Sequence, residues 1–222
     1  AWAEKTFQSL DHSIELDWHY QDGDQVAAGD SVCTLRGPAR ALLTGERTAL
    51  NFLQTLSAVA TKTKIYVEAI AHTKAKILDT RKTMPNLRLA LKYAVRTGGG
   101  KNHRIGLFDG VLIKENHIIA CDGITKALKF AKDADQKAPI QIEVETITQL
   151  KEAVDGGAKL ILLDNFKPQS MKEAVKIVNG KALLEASGGI TLNSIVEVAE
   201  TGIDRISIGT LTKDIHSIDL SM

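Results

Sequence analysis

The sequence predicts an α/β fold: a βα barrel of parallel strands, incomplete or open, behind a small N-terminal α+β sandwich domain. Three observations predict it. From Lys76 onward, short apolar runs, mostly rich in β-branched residues, recur six times. Amphipathic helical patterns separate them, and strand–helix–strand at this rhythm means parallel strands joined by right-handed crossovers. The first forty-odd residues read differently, as short alternating strands divided by turn residues. An open doubly wound sheet would need a glycine fingerprint after its first strand, and none is present.

The elements follow in order. Ile14 to Tyr20 alternates like a strand, Asp22-Gly23-Asp24 and Gly29-Asp30 are turns, and Val32 to Leu35 is a second strand. Lipoyl-like modules use similar turns, but no lysine sits at a hairpin tip to carry a cofactor. Thr44 is a candidate cap for a long helix through Glu46, Leu50, Leu53, Leu56 and Val59, continuing with a possible kink to Ile70. The six runs are Ile77-Leu78, Gly110 to Ile113, Ile140 to Val144, Leu160 to Leu163, Ala182 to Leu184 and Arg205 to Ile208. Between the last of them, Met171, Ala174, Val175, Val178 and then Leu192, Ile195, Val196, Ala199 keep helical spacing. The boundaries read as 1–45 for part of the N-terminal domain, 46–75 for a connecting helical segment, 76–210 for the barrel and 211–222 for a tail returning toward the N-terminal domain. The opening Ala1-Trp2-Ala3-Glu4 resembles the middle of a helix, so the true N-terminus is expected to lie upstream.

Composition narrows the function. Lys and Arg number 28 against 27 Asp and Glu, and no long basic run occurs, which argues against wholesale binding to nucleic acid or to a membrane surface. No apolar run is long enough to span a bilayer. Cys33 and Cys121 stand far apart, which suggests neither a disulfide scaffold nor a zinc site and suits a reducing cytoplasm.

What ends each run carries the chemistry. The ends are Asp79-Thr80-Arg81-Lys82, Lys114-Glu115-Asn116-His117, Glu143 with Glu145, Asp164-Asn165, Glu185-Ala186-Ser187-Gly188-Gly189 and Gly209-Thr210. In βα barrels these C-terminal strand ends build the active site. Alternation in the third run puts Gln141, Glu143 and Glu145 on one face, directed into the barrel mouth. Buried carboxylates need cations or donors, and Arg81, Lys82, Arg104 and Lys114 are at hand, with Asp164 one strand on; a purely structural ion-pair network is the plain alternative. Gly98-Gly99-Gly100-Lys101-Asn102 fails as a phosphate loop, because Val95 and Asn102 stand where the motif needs a glycine and a hydroxyl. It reads as a helix end and a flexible loop delivering His103 and Arg104. Ser187-Gly188-Gly189, before a helix expected to open near Thr191, is better placed to cradle phosphate, with Gly209 to complete the site; a tight turn without ligand is the alternative.

These residues resemble the quinolinate phosphoribosyltransferase family, also called carboxylating nicotinate-nucleotide pyrophosphorylases. The resemblance rests on Gly45-Glu46-Arg47-Thr48-Ala49-Leu50-Asn51, Asp79-Thr80-Arg81-Lys82-Thr83, Gly98-Gly99-Gly100 with His103-Arg104, and Gly106-Leu107-Phe108-Asp109. It continues through Leu112 to His117, Glu143-Val144-Glu145, Leu163-Asp164-Asn165 and Glu185 to Ile190. It implies transfer of a phosphoribosyl group from phosphoribosyl pyrophosphate to quinolinate with decarboxylation, with Mg2+, in a cytoplasmic homodimer. By the resemblance, Arg81, His103, Arg104 and Lys114 surround the quinolinate carboxylates, Lys82 lies near the anions, and Arg47 reaches the pocket from the partner subunit. Glu143 and Asp164 serve the ribose hydroxyls and the metal, and Ser187, Gly188 and Gly209 hold phosphate. Lys114, Glu143 and Asp164 are the expected catalytic residues. Family members begin before Ala1 and run a few residues past Met222, and Lys213 replaces a histidine that many of them carry. A relative acting on another heteroaromatic acid, or a barrel that binds a phosphorylated ligand without turnover, would share the phosphate residues; the intact Arg-His-Arg set and the Glu143–Asp164 pair argue against both.

Overall fold

The computed structural model describes residues 1–134 and 137–222. Helix α1 (Trp2–Leu10) packs on the start of a long helix, α2 (Ala39–Ala69), and a two-stranded antiparallel ribbon lies between them in sequence. The ribbon pairs β1 (Glu15–Trp18) with β2 (Cys33–Arg36). Ala3, Phe7, Ile14 and Ala49 form the small core of this unit. Gly45 is required there, because a Cβ at that position would lie 2.8 Å from the Phe7 ring. Thr44 is not the helix cap. The helix starts five residues earlier, after Pro38, whose extended backbone sets the entry, and the Thr44 hydroxyl donates back to the Arg40 carbonyl from within the helix. The helix runs unbroken to Ala69 and crosses from the small unit onto the barrel, where Ala58, Val59, Thr63 and Tyr66 are buried.

Six parallel strands follow: β3 (Lys76–Leu78), β4 (Val111–Ile113), β5 (Ile140–Val144), β6 (Leu160–Asp164), β7 (Leu183–Ser187) and β8 (Arg205–Ser207). Their order is β3-β8-β7-β6-β5-β4, the cyclic order of a barrel with a seam between β3 and β4. A closed barrel, one of the two forms expected, is therefore ruled out in favour of the open one. The seam is partly covered by the segment after α3 (Arg88–Thr97): Lys101 forms a single parallel bridge with Leu78, its N–H donating to the Ile77 carbonyl at 2.8 Å. The remaining helices are α4 (Glu115–Ala120), α5 (Ile124–Ala134), α6 (Ile147–Asp155), α7 (Pro168–Val178), α8 (Ile195–Ala199) and α9 (Thr210–Lys213). Leu192 is exposed before α8, which begins only at Ile195, so the expected helix is shorter than its apolar pattern.

The hydrophobic core lies outside the strands, not in the lumen. Ile77, Ile142, Val144, Ile161, Leu163, Leu184, Ala186 and Ile206 face the helices and are almost fully buried. The opposite face carries Gln141, Glu185 and Ser207, buried and polar, beside the buried Leu78 and Leu162, and Asp79 is buried just past the end of β3. The glycine triplet is a packed corner, not a flexible loop. A Cβ on Gly98 would overlap the Ala60 carbonyl, and one on Gly100 would lie 2.8 Å from both Thr63 and Val95.

At the seam, the Asp79 carboxylate accepts from Lys92 Nζ at 2.6 Å, Asn102 Nδ2 at 2.7 Å and the His103 N–H at 2.8 Å. Lys92 also donates to the His103 carbonyl at 2.8 Å, and both charges are almost completely buried. Burial pushes the Asp79 carboxyl above its ordinary value, against the pull of Lys92 and the two other donors. Lys92→Met should strand that carboxylate at a cost of about 3–5 kcal/mol at neutral pH. Without its cation the folded-state carboxyl titrates above the unfolded one, so stability should recover as pH falls through that raised range. Urea unfolding of both proteins from pH 8 to pH 5 measures this; a loss that does not shrink on acidification refutes it.

Candidate active site

The strand ends assemble a rim whose order follows the sheet. Arg81 and Lys82 follow β3; Gly209, opening α9, follows β8; Ser187 and Gly188 close β7; Asp164 ends β6; Glu143 lies in β5; Lys114 follows β4. His103 and Arg104 enter from the seam, held there by Asp79. Ten of the eleven expected site residues thus belong to one mouth. The eleventh, Arg47, sits exposed on α2 two residues beyond the Gly45–Phe7 contact, and no described interaction joins it to the rim of its own chain.

The cationic side is built under tension. Arg104 Nη1 donates to the Gly110 carbonyl at 2.8 Å. Its guanidinium is destabilised first by burial and then by the charge of Arg81. Arg81 Nε is itself buried with no hydrogen-bond partner, although other parts of the residue remain accessible. A buried donor left unpaired costs about 1–3 kcal/mol, more when charged. Two cationic groups near enough to oppose each other, one with an unanswered N–H, could serve as a receptor for an anion. Arg88 frames this side by donating to the Arg81 carbonyl at 3.2 Å and the Ile105 carbonyl at 2.9 Å.

The acidic side faces a different need. Lys114 Nζ stands 3.5 Å from Glu143 Oε2. Glu143 is pushed above the usual carboxylate range, chiefly by burial, with Asp164 and Glu145 adding repulsion and Lys114 opposing. Asp164 accepts from Asn165 Nδ2 at 2.8 Å. Glu145 does not enter the mouth as its alternation suggested: β5 ends at Val144, and Glu145 is exposed, its N–H turned to Gln149 Oε1 at 2.7 Å. Among the described residues no cluster of three or more His, Cys, Asp or Glu side chains is arranged to hold a metal. The Glu143–Asp164 pair still suits magnesium, which binds through one or two carboxylates and takes its remaining oxygens from water and substrate phosphate.

Four supports of the site carry no role in the sequence reading. Lys92 and Asn102 fix the seam, and Gln141 and Glu185 line the lumen beside His103. Gln141 had been placed on the inward face without a task. Alternation in β7, which runs three residues past its expected end at Leu184, is the signal that would have marked Glu185 as inward. Lys82 is exposed at the rim, and position 213 lies beside it: a Cβ on Gly209 would meet Lys82 Cδ at 3.2 Å and Lys213 Cε at 4.0 Å.

The glycine after β7 is there for close approach. Gly188 has φ +102°, and a Cβ on it would overlap Asn165 Oδ1 and lie 2.7 Å from Asn165 Cγ. Gly189 has φ +58° with open space around it. Gly189→Ala should therefore cost only backbone strain, about 1 kcal/mol, whereas Gly188→Ala adds overpacking for about 2–5 kcal/mol in total. Thermal melts of the two variants test the difference; equal losses would mean that Asn165 yields freely.

Family models match both parts of the chain: the C-terminal domain of quinolinate phosphoribosyl transferase over residues 59–222, and its N-terminal domain over residues 1–57. A Bacillus subtilis relative named probable nicotinate-nucleotide pyrophosphorylase (carboxylating) is 46% identical over 217 residues, covering 97% of this chain and 75% of its own length. A rice relative named nicotinate-nucleotide pyrophosphorylase (carboxylating), chloroplastic, is 40% identical, covering 99% of this chain and 64% of its own. Among solved structures, the nicotinate-nucleotide pyrophosphorylase of Francisella tularensis superposes with a TM-score of 0.97 at 49% identity, over 99% of this chain and 78% of that one.

Proposed function

The chain belongs to the quinolinate phosphoribosyltransferase family, and we propose that it transfers the phosphoribosyl group of phosphoribosyl pyrophosphate to quinolinate with loss of carbon dioxide. The products are nicotinate mononucleotide and pyrophosphate, which places the enzyme in NAD biosynthesis. The observation that carries the reading is the buried, unanswered Nε–H of Arg81 on the same rim as Arg104, whose charge it opposes. A planar dicarboxylate answers it, because each guanidinium fork can take a carboxylate in a bidentate grip.

The roles follow from charge. Arg81, Arg104 and Lys114 hold the quinolinate carboxylates, with His103 in the wall behind them and Lys82 near the anions. Ser187, Gly188 and Gly209 cradle phosphate. Glu143 and Asp164 bind the ribose hydroxyls and hold magnesium. The two carboxylates would hold the ion, which would supply charge neutralisation for the departing pyrophosphate. The pyridine nitrogen attacks the anomeric carbon with its own lone pair, so the protein needs no general base. Positive charge growing on the sugar faces Glu143 and Asp164. Once alkylated, the ring stabilises the electron pair left when the adjacent carboxylate departs as carbon dioxide, and that carbon then takes up a proton from solvent. Positioning and charge balance do the work.

No helix among the described residues is long and apolar enough to cross a membrane. Both cysteines are free, which supports our placing the enzyme in the cytoplasm. The exposed position of Arg47, on a helix outside its own chain's mouth, supports a homodimer in which it completes the partner's site.

Incubation with quinolinate, phosphoribosyl pyrophosphate and magnesium should release carbon dioxide and the mononucleotide. Nicotinate lacks the carboxylate that is lost and would leave the half-buried guanidiniums uncompensated, so kcat/KM should favour quinolinate by roughly 10⁴ or more. Comparable efficiencies would mean that the cations serve another anion. For the assembly, Arg47→Ala and Lys114→Ala should each give folded, inactive dimers, and exchange between the two should restore part of the activity. Proven heterodimers that stay inactive would remove Arg47 from the shared site.

A further inference from the structure

The resemblance sets His103 against the substrate, yet both its ring nitrogens are already engaged by the protein. The Arg104 N–H donates to His103 Nδ1 at 2.9 Å. A backbone N–H can only donate, so Nδ1 carries a lone pair and the ring proton sits on Nε2. Nε2 is 2.9 Å from Gln141 Oε1, which accepts that proton. Gln141 in turn donates from Nε2 to Glu185 Oε2 at 3.0 Å. Glu185 is about 1% exposed, and its other oxygen has no hydrogen-bond partner but lies 3.6 Å from His103 Nε2. Every polar group around Nε2 is therefore an acceptor, and the single group facing Nδ1 is a donor. An imidazolium would set a second donor against the Arg104 N–H. The neutral Nε2–H ring satisfies the whole string, and it leaves no nitrogen for substrate.

We propose that His103 is a positioning residue for Arg104, and that Gln141 and Glu185 hold it in the Nε2–H tautomer which that task requires. Its Nδ1 anchors the Arg104 backbone from one side while Asp79 anchors the His103 N–H from the other. The two anchors fix the short seam segment, and with it the place where the Arg104 guanidinium meets Arg81. What Arg104 grips rests on the reading of the substrate as quinolinate; the tautomer does not.

Two amide substitutions separate the nitrogens, because Asn Oδ1 stands where Nδ1 stood and the Gln amide where Nε2 stood. His103→Asn keeps the acceptor for Arg104 and should hold kcat/KM for quinolinate within about tenfold. His103→Gln and His103→Ala should each lose on the order of 100-fold, chiefly through KM for quinolinate, with KM for phosphoribosyl pyrophosphate little changed. If Gln retains activity and Asn falls as far as Ala, Nε2 touches substrate and the proposal is overturned. A second readout needs no turnover. Ring ¹⁵N signals of His103 in the unmutated protein should show a bare Nδ1 and a protonated Nε2, with and without quinolinate. Glu185→Gln, which turns an amide donor toward Nε2, should draw the two signals together. The opposite tautomer, or signals indifferent to Glu185→Gln, overturns the proposal even where a His103 variant fails to fold. A substrate misassignment shows instead in the turnover assay of the unmutated enzyme.

Discussion

One buried carboxylate organises the molecule. An open barrel has two free strand edges, and here they face each other across a seam with the active-site mouth above it. Asp79, at the end of β3, gathers Lys92 from the helix beyond the seam and the side chain and backbone of Asn102 and His103 from the segment crossing it. A hydrogen-bonded ladder would close the gap too, but it would also occupy it. A point charge tied to three donors pins the crossing segment and its helix to the end of β3 while leaving the segment's next residues free to face the lumen. The arrangement is costly in isolation, since burying either charge without the other is prohibitive. It also makes the position of Arg104 depend on the packing of Lys92, which reaches the mouth only through Asp79 and the His103 carbonyl.

The division between an apolar outer layer and a polar lumen follows from the same economy. Ile142 and Val144 alternate with Gln141 and Glu143 along one strand, so a single five-residue run supplies both the helix-facing core and the site. The lumen is too polar to be a second core and too enclosed to be solvent. Among its groups Gln141 is answered by Glu185 and His103, while Arg81 Nε and Glu185 Oε1 have no hydrogen-bond partner.

Much of this was legible in the sequence, and the failures share a cause. Ile140–Val144 was read with its observed bounds because alternation and flanking polarity agree there. The rim residues were legible because polar groups closing six apolar runs have few structural uses. Where the signal was local chemistry, tertiary contact overrode it. Thr44 looks like a cap, but the helix already starts after Pro38 and packs through Gly45 against Phe7. The glycine triplet looks flexible, but its lack of side chains serves close packing against α2. Lys92 was illegible in principle: a lysine within a helical pattern reads as solvated, and only the fold brings Asp79 beneath it.

The sheet order also separates opposing charges around one mouth. From the seam the rim runs through Arg81 and Lys82, then the glycine turns at Gly209 and Gly188, then Asp164 and Glu143, and returns through Lys114 to Arg104. Cations flank the seam, carboxylates occupy the strands farther from it, and backbone N–H groups lie between. A transferase joining a dicarboxylate to an anionic sugar phosphate must hold many negative charges together while a cationic centre develops among them. Cations alone would bind the substrates and oppose that centre; carboxylates alone would repel both reactants. Grouping the guanidiniums on the seam side and the acids on the far strands lets one mouth do both. It also explains why Lys114 stands within reach of Glu143: where the two sectors meet, the protein must balance the charge itself.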